Sequence, residues 1–272
     1  MDPVARAPSR IYLVVGDSHA TRFDGIVLED TGGPIVTKAR WLPGLRMSAL
    51  FQSGRISEYL TLVLREMRFV MRGGNEADSP FPLLQEPNGF DTTETLCYAP
   101  RFSERMVLMF AAGAADALDI SREYYPNYDI DLPGDSIDLQ GAAPYAEWKE
   151  QIGADAVASH VRARCEPLFR AVLALRDAGY KHLFLHDLPP PGPVTTRHFP
   201  HQSLRFKVIA IFNRVLEEFA RANGIGFVST WDVLFIDRRR VAGYESDEEH
   251  LTPESTLPSV IRLHQQMMQR EG

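Results

Sequence analysis

Strand-like and helix-like segments alternate along this chain of 272 residues, and the alternation limits the folds that are open to it. Five short runs are rich in apolar and β-branched residues and end at Gly, Pro or polar residues, as buried strands do. They are Ile11–Val15, Pro34–Trp41, Arg105–Ala112, Lys181–Leu188 and Ile225–Ser229. Because strands that alternate with helices pair in parallel, these runs predict a parallel sheet with helices on both faces.

Helix-like segments separate the strands. Apolar residues recur at helical spacing in Leu45–Met71, Ala154–Ala178, Leu204–Ala222 and Thr252–Arg270. Pro167 lies inside the second segment, where a proline is expected to kink or restart a helix. In the last segment, the residues predicted to face inward are Leu257, Val260, Ile261, His264 and Met268. Right-handed crossovers then predict an α/β fold, a doubly wound, flavodoxin-like, three-layer α/β/α sandwich with five parallel strands.

A single domain spanning residues 1–272 is expected, because no repeat, low-complexity tract or linker divides the chain. A hydrophobic fraction of 44% is enough for a sizeable core. Two weakly periodic stretches, near 73–103 and 121–148, interrupt the alternation. We interpret them as insertions that could cover a site.

Charge and composition exclude several classes of function. The net charge is −7 and the pI about 5.6, which argues against nucleic-acid binding, since that needs a basic face. Cys97 and Cys165 are the only cysteines, so no disulfide framework is predicted and a reducing compartment is favoured. Neither a secretory signal nor a membrane span is apparent, so a cytoplasmic location is expected. The sequence does not indicate an oligomeric state.

A serine follows the first strand. Gly16 ends the strand, and Asp17 and Ser18 come directly after it. Open α/β sheets bind their ligands at the carboxyl ends of the strands, so the Ser18 hydroxyl is predicted at such a position. Gly, Asp and Ser are also ordinary turn residues, and a solvated turn is the alternative.

An aspartate and a histidine precede the last helix. Asp247 and His250 are three positions apart, a spacing that lets the carboxylate approach one ring nitrogen and leaves the other facing a nucleophile. This is the division of labour in a serine hydrolase, where the carboxylate orients, the imidazole accepts the proton and the hydroxyl attacks. The alternative is an acidic helix start that complements the helix dipole.

The GDSH residues 16–19, the D-x-x-H residues 247–250 and the HDLPPP run from His186 together resemble the SGNH (GDSL-type) hydrolases, over nearly the whole chain. The resemblance implies the fold of that family. It also implies that Ser18 is the nucleophile, His250 the general base and Asp247 its orienting partner. The backbone N–H groups of Ser18 and Gly44 would then face the oxyanion.

The third block of the family departs from its pattern here. The family has G-x-N-D, whereas this chain reads Gly113, Ala114, Ala115 and Asp116. The methyl group of Ala115 cannot donate a hydrogen bond, and losing one oxyanion donor typically lowers the rate by about 10²–10³. A weaker enzyme, another donor in place of the asparagine, or a site that no longer performs this chemistry all remain open.

Further residues near these blocks are candidates for substrate contact. Asp17 is expected to organise its loop through backbone N–H groups, and His19 to lie at the pocket rim. Gly113 is either a contact or a turn that ends the third strand. Arg22 and Arg46 could meet an anionic group, although arginines are more often solvated.

The histidines also raise the question of a metal. His182, His186 and Asp187 cluster on one strand, and His198 and His201 follow. No HExxH or Cys-rich spacing is present, so no metal site is predicted. No GxGxxG or GxxxxGK[ST] pattern follows a strand, so no nucleotide cofactor is predicted either.

The resemblance implies a serine hydrolase that needs no cofactor and cleaves a carboxylic ester through an acyl-enzyme. Its substrate would be a small molecule or a carbohydrate with a short acyl group such as O-acetyl. One alternative is an acyltransferase in which a sugar hydroxyl replaces water. The other is a non-catalytic binding protein on the same fold, which Ala115 makes conceivable.

Overall fold

A computed structural model describes residues 10–42, 44–71, 106–132, 149–190, 202–236, 239–240 and 253–271. The strands are β1 (Arg10–Gly16), β2 (Val27–Leu28), β3 (Ile35–Trp41), β4 (Phe51–Gln52), β5 (Arg55–Ile56), β6 (Val107–Ala111), β7 (Tyr128–Asp131), β8 (Glu150–Gly153), β9 (His182–His186), β10 (Gly226–Val228), β11 (Phe235–Ile236) and β12 (Arg239–Arg240). The α-helices are α1 (Glu58–Met71), α2 (Ala114–Tyr124), α3 (Ala154–Asp177), α4 (Gln202–Asn223), α5 (Trp231–Leu234) and α6 (Pro253–Glu271). Two 3₁₀ helices span Ser18–Phe23 and Met47–Ala49.

The main sheet has the order β10-β9-β6-β1-β3-β2. The five predicted strands are β1, β3, β6, β9 and β10, and they are parallel to one another. Their order is that of the flavodoxin-like doubly wound fold, which confirms the predicted fold class. The sixth strand was not predicted, because two residues are too short to show an alternating pattern. Val27 and Leu28 pair antiparallel with β3 at the sheet edge.

Both faces of the sheet are covered. Leu13 and Val15 of β1 point into a large apolar cluster shared with α1 to α4. Tyr12 and Val14 point to the opposite face, into a smaller cluster that includes Phe23 of the first 3₁₀ helix and residues of α6. A central strand that is buried on both faces reads as a continuous apolar run, which is why this strand was predictable.

The helix α3 has the predicted apolar stripe. Its buried residues include Val157, Val161, Leu168, Val172 and Leu175. Of the kink or restart predicted at Pro167, the restart does not occur, because the helix continues through the proline as one element. We attribute this to the extensive burial of the helix on both sides of the proline, which outweighs the one hydrogen bond that a proline removes.

The helical stretch predicted within Leu45–Met71 is confirmed as α1, and shorter elements precede it. The second 3₁₀ helix comes first, and β4 and β5 follow as a hairpin that turns at Ser53 and Gly54. Only then does α1 begin, at Glu58. Periodicity alone did not separate these elements, because the apolar residues of the hairpin and of α1 are buried in the same cluster.

The inward face predicted for α6 is partly wrong. Leu257, Ile261 and Met268 are exposed by 38%, 39% and 44%, whereas Val260 is buried as predicted, together with Leu263 and Met267. Polar residues take the remaining inward positions of α6, where Ser255, Thr256 and Ser259 are buried. A rule that places apolar residues inward assigns such hydroxyls to the surface. The predicted inward face of α6 was therefore turned away from the observed one.

The two predicted insertions are described only in part. Residues 73–103, with Cys97, lie outside the described residues. The stretch 121–148 is not irregular throughout, because α2 extends into it as far as Tyr124 and β7 then pairs in parallel with β8. Its remainder, 133–148, is not described.

Across the described ranges, no helix is both long enough and apolar enough to traverse a bilayer.

Candidate active site

The end of β1 places Ser18 at the carboxyl edge of the sheet. The Asp17 N–H donates to the carbonyl of Ala111 on β6 at 3.3 Å, and the Gly16 carbonyl accepts from the N–H of Leu42 after β3 at 3.2 Å. A Cβ on Gly16 would lie 1.9 Å from the Ala111 carbonyl oxygen. Glycine therefore permits the close approach that brings the loops after three parallel strands together.

Asp17 holds the loop that carries Ser18. Its carboxylate accepts from the His19 N–H at 3.0 Å and from the Ala114 N–H at 3.1 Å. It thereby caps the 3₁₀ helix that begins at Ser18 and ties this helix to the first turn of α2. These contacts have the form expected for Asp17 from the sequence.

His19 also pairs with Asp17, since its Nδ1 lies 3.0 Å from Asp17 Oδ1. Burial acts to raise the pKa of the Asp17 carboxyl, but the hydrogen bond and charge of His19 and the backbone N–H groups of His19 and Ala114 outweigh it. The pKa of Asp17 is therefore lowered, and the carboxylate stays ionised beside Ser18.

The loop after β3 is fixed to α2 at two points. The Met47 N–H donates to Asp116 Oδ2 at 2.9 Å, and Arg46 Nη2 lies 2.9 Å from Asp119 Oδ2. Burial raises the pKa of Asp116, although the Met47 N–H and the charge of Arg46 act in the opposite direction. Gly113 caps α2 with a φ of +123°, and a Cβ there would lie 2.5 Å from Met47 Cε. A side chain at Gly113 would thus be strained by this φ and would require the Met47 side chain to shift.

A pocket of about 190 Å³ opens between these loops. The residues that border it include Ser18, His19, Gly44, Ala115, Arg46 and Arg205. One water in the liquid occupies about 30 Å³, so the pocket has room for a short acyl group and part of an alcohol. Ser18, Gly44 and Ala115, which are far apart in the sequence, therefore lie around one space.

The predicted site residues divide into two sets. Asp17 and His19 border the pocket, whereas Gly113 is buried at the start of α2. Asp247 and His250 lie outside the described residues, so the Ser18–His250–Asp247 triad stays a prediction.

Sequence reasoning missed Arg205. This residue lies on α4, is 3% exposed and borders the pocket. No signal in the sequence pointed to it, because an arginine within an amphipathic helix is ordinarily assigned to the solvent. Arg22 precedes Phe23 in the first 3₁₀ helix, where its carbonyl accepts from Thr256 Oγ1 at 3.0 Å.

A second group of serine, histidine and aspartate lies beneath the sheet edge. His186 Nε2 is 2.8 Å from Ser259 Oγ. His186 Nδ1 is hydrogen-bonded to the backbone carbonyl of Asp187 at 2.5 Å and lies 3.4 Å from Asp187 Oδ1. All three residues are buried. Asp187 also accepts from the Ser229 hydroxyl and from the Thr230 N–H, each at 2.8 Å. Burial raises the pKa of Asp187, although His186 and these donors act in the opposite direction.

The histidines that were weighed as metal ligands have other contacts. His182 Nε2 lies 3.7 Å from Glu271 Oε1, and His186 contacts Ser259. His198 and His201 lie outside the described residues. Among the residues that the structure describes, no three His, Cys, Asp or Glu side chains form a group that could hold a metal ion.

The chain is similar to solved structures of lipases and esterases. A GDSL-like lipase from Bacteroides thetaiotaomicron is 15% identical, with 100% of this chain and 93% of that chain covered and a TM-score of 0.43. An extracellular lipase from Streptomyces rimosus is 12% identical, with 94% and 99% covered and a TM-score of 0.47. A carbohydrate acetylesterase family member from Sinorhizobium meliloti is 13% identical, with 96% and 98% covered and a TM-score of 0.46.

These neighbours include the GDSL class that residues 16–19 resemble. No protein-family model matches the chain, and no curated protein matches it.

Proposed function

We propose that this protein is a serine hydrolase of the SGNH type that cleaves a carboxylic ester, with Ser18 as the nucleophile. The observation that carries the proposal is the position of Ser18. It begins the 3₁₀ helix at the carboxyl edge of the sheet and borders a pocket that Gly44 also borders. A hydroxyl beside a pocket and close to backbone N–H groups is the arrangement that acyl transfer needs.

The chain connectivity supports His250 and Asp247 as the partners of Ser18. The helix α6 begins at Pro253, three positions after His250. Its first turn is tied to the 3₁₀ helix of Ser18, because Thr256 Oγ1 donates to the Arg22 carbonyl at 3.0 Å. Three residues span at most about 10 Å, and this short link from α6 supports the proposal that His250 is the base for Ser18.

The proposed reaction has two steps. His250 takes the proton of Ser18 as the hydroxyl oxygen attacks the acyl carbon, and Asp247 orients the imidazole. The oxyanion faces the N–H groups of Ser18 and Gly44 until the alcohol leaves with the proton from His250. Water then gives its proton to His250 and attacks the acyl-enzyme, which releases the acid and restores Ser18.

The pocket volume favours a short acyl group, and we propose an O-acetyl or similar ester on a small molecule or carbohydrate. One observation favours a second function. Ala115 borders the pocket where the family has an asparagine, so a binding protein without turnover is the competing hypothesis.

The experiment compares hydrolysis of p-nitrophenyl acetate and of longer p-nitrophenyl esters by the wild type, Ser18→Ala and Ser159→Ala. The Ser159 hydroxyl is exposed and bonds to its own helix α3, so it serves as the matched control. We expect Ser18→Ala to lower kcat/KM by at least about 10³, with Ser159→Ala unchanged.

Labelling by a fluorophosphonate, read by intact-protein mass spectrometry, should add one adduct to the wild type and none to Ser18→Ala. If the wild type neither turns over an ester nor takes up the label, the binding protein replaces the hydrolase. A further assay adds methanol to the reaction with p-nitrophenyl acetate. The ratio of methyl acetate to acetate in the products measures acyl transfer to a hydroxyl relative to hydrolysis.

A further inference from the structure

The guanidinium of Arg46 lies against the part of α2 that carries Ala115. Arg46 Nη2 is 2.9 Å from Asp119 Oδ2. Asp119 follows Ala115 by four positions on α2, so the two residues share a helix face one turn apart. Arg46 and Ala115 also border the same pocket as Ser18.

The backbone beside Arg46 is fixed as well. The next residue, Met47, donates its N–H to Asp116 at 2.9 Å. Arg46 therefore has an anchor at its side chain and another at the following peptide, on the same turn of α2. This leaves the guanidinium little freedom to move away from the pocket.

Arg46 has donors to spare. A guanidinium carries five N–H donors, and the contact with Asp119 uses Nη2. Nη1 is shielded from water and has no hydrogen-bond partner within the described ranges. A buried donor without a partner is costly, and in native proteins it often has a functional reason. The Arg46 side chain is 39% exposed, so the group also reaches the open space of the pocket, whereas Arg205 is nearly enclosed.

We propose that Arg46 donates to the oxyanion the hydrogen bond that Ala115 cannot supply, an inference that rests on the proposed hydrolase function. The small methyl group of Ala115 leaves the space that an asparagine would fill. The guanidinium turns about its contact with Asp119 so that an N–H faces the oxyanion. Its positive charge also offsets the ionised Asp17, which would otherwise disfavour negative charge beside Ser18.

The main variant is Arg46→Met, which keeps an apolar stem and has no donor. Against p-nitrophenyl acetate, a neutral substrate, we expect kcat to fall by about 10²-fold, the usual effect of losing one oxyanion donor, with little change in KM. Arg46→Gln keeps a donor and should lose less. Arg170→Met, on the surface of α3, removes an arginine that pairs with Glu166 and is the matched control.

The decisive variant restores the family's residue. Adding Ala115→Asn to Arg46→Met should recover at least tenfold of the lost kcat, while Ala115→Asn alone should raise the wild-type kcat by no more than about twofold, since the place of the donor is already taken. Thermal unfolding of each variant checks that it folds. If Arg46→Met does not fold, the Arg46→Gln variant with and without Ala115→Asn gives the same comparison.

The outcomes separate the two proposals. If the fluorophosphonate labels Ser18 in the wild type and labels Arg46→Met at the same rate, with kcat within twofold, the role of Arg46 is wrong and the hydrolase stands. Loss of kcat that Ala115→Asn does not recover also overturns the oxyanion role. If Ser18 is never labelled and no ester is turned over, both proposals fail.

Discussion

Two regions of this protein combine serine with histidine and aspartate, and the cavities that border them differ greatly in volume. In the first, Ser259 and His186 are hydrogen-bonded, with 2.8 Å between the serine oxygen and the imidazole, and Asp187 follows His186. Ser18 lies next to Asp17 and His19 and borders a pocket of about 190 Å³. The cavity beside His186 and Asp187 measures about 10 Å³, the lower limit for a single water.

The comparison teaches that a serine, a histidine and an aspartate lying side by side are not by themselves an active site. Hydrogen bonds satisfy the His186 ring and the Asp187 carboxylate, and among the described residues the cavity beside them has room for about one water. Its effect is structural, because it joins α6 to the end of β9 and, through Ser229 and Thr230, to the segment after β10. Ser18, by contrast, borders a pocket that a substrate could enter.

The largest effect should come from Gly16→Ala, which disturbs the Ser18 region alone. The added Cβ would lie 1.9 Å from a backbone oxygen of β6, so the strand ends must move apart. We expect a loss of about 3 kcal/mol in the free energy of unfolding, measured in urea, together with most of the esterase activity.

Gly153→Ala is its matched control, because a Cβ at Gly153 meets nothing within 4 Å and its φ is −65°. It should leave both quantities nearly unchanged. An active and stable Gly16→Ala would mean that the close approach of β1 and β6 does not position Ser18.

Ser259→Ala should give the opposite result, with a smaller effect on stability and none on activity. The substitution leaves the buried Nε2 of His186 without its partner, which costs about 2 kcal/mol of the free energy of unfolding. Urea unfolding measures the loss, and hydrolysis of p-nitrophenyl acetate should stay within twofold of the wild type. A large loss of kcat without a loss of stability would indicate that Ser259, and not Ser18, is the nucleophile.

The smallest effect distinguishes the two aspartates by pH. The folded pKa of Asp17 lies below its ordinary value of 3.8. Between these two pKa values the unfolded chain binds more protons than the folded protein, so the free energy of unfolding rises with pH. The folded pKa of Asp187 lies above 3.8. Between 3.8 and that pKa the folded protein binds more protons than the unfolded chain, so the stability that this group contributes falls as pH rises.

The measurement is the free energy of unfolding against pH for the wild type, Asp17→Asn and Asp187→Asn. The difference between wild type and Asp17→Asn should grow as pH rises toward 3.8, in favour of the wild type. The difference between wild type and Asp187→Asn should shift against the wild type as pH rises above 3.8. Slopes of the same sign would contradict the contrast between the two regions.

The sequence allowed the five parallel strands and the position of Ser18 to be predicted, because both depend on local patterns. An apolar run followed by Gly, Asp and Ser is visible within ten residues. The inward face of α6 was not predictable, since Ser259 is buried by a partner 73 positions away. Arg205 was missed because its place beside the pocket depends on residues far from it in the sequence. Arg46 becomes significant only when Asp119 of α2 is placed beside it.

The hydrogen bond between Thr256 and Arg22 joins positions 234 residues apart. During synthesis, Ser18 therefore leaves the ribosome long before the helix that ties its loop to the end of the chain. Closing so long a loop is entropically slow, and it comes after the central strands have paired. The proposed catalytic residues can then meet only after α6 has been synthesised, so that shorter nascent chains carry the proposed nucleophile without the proposed base.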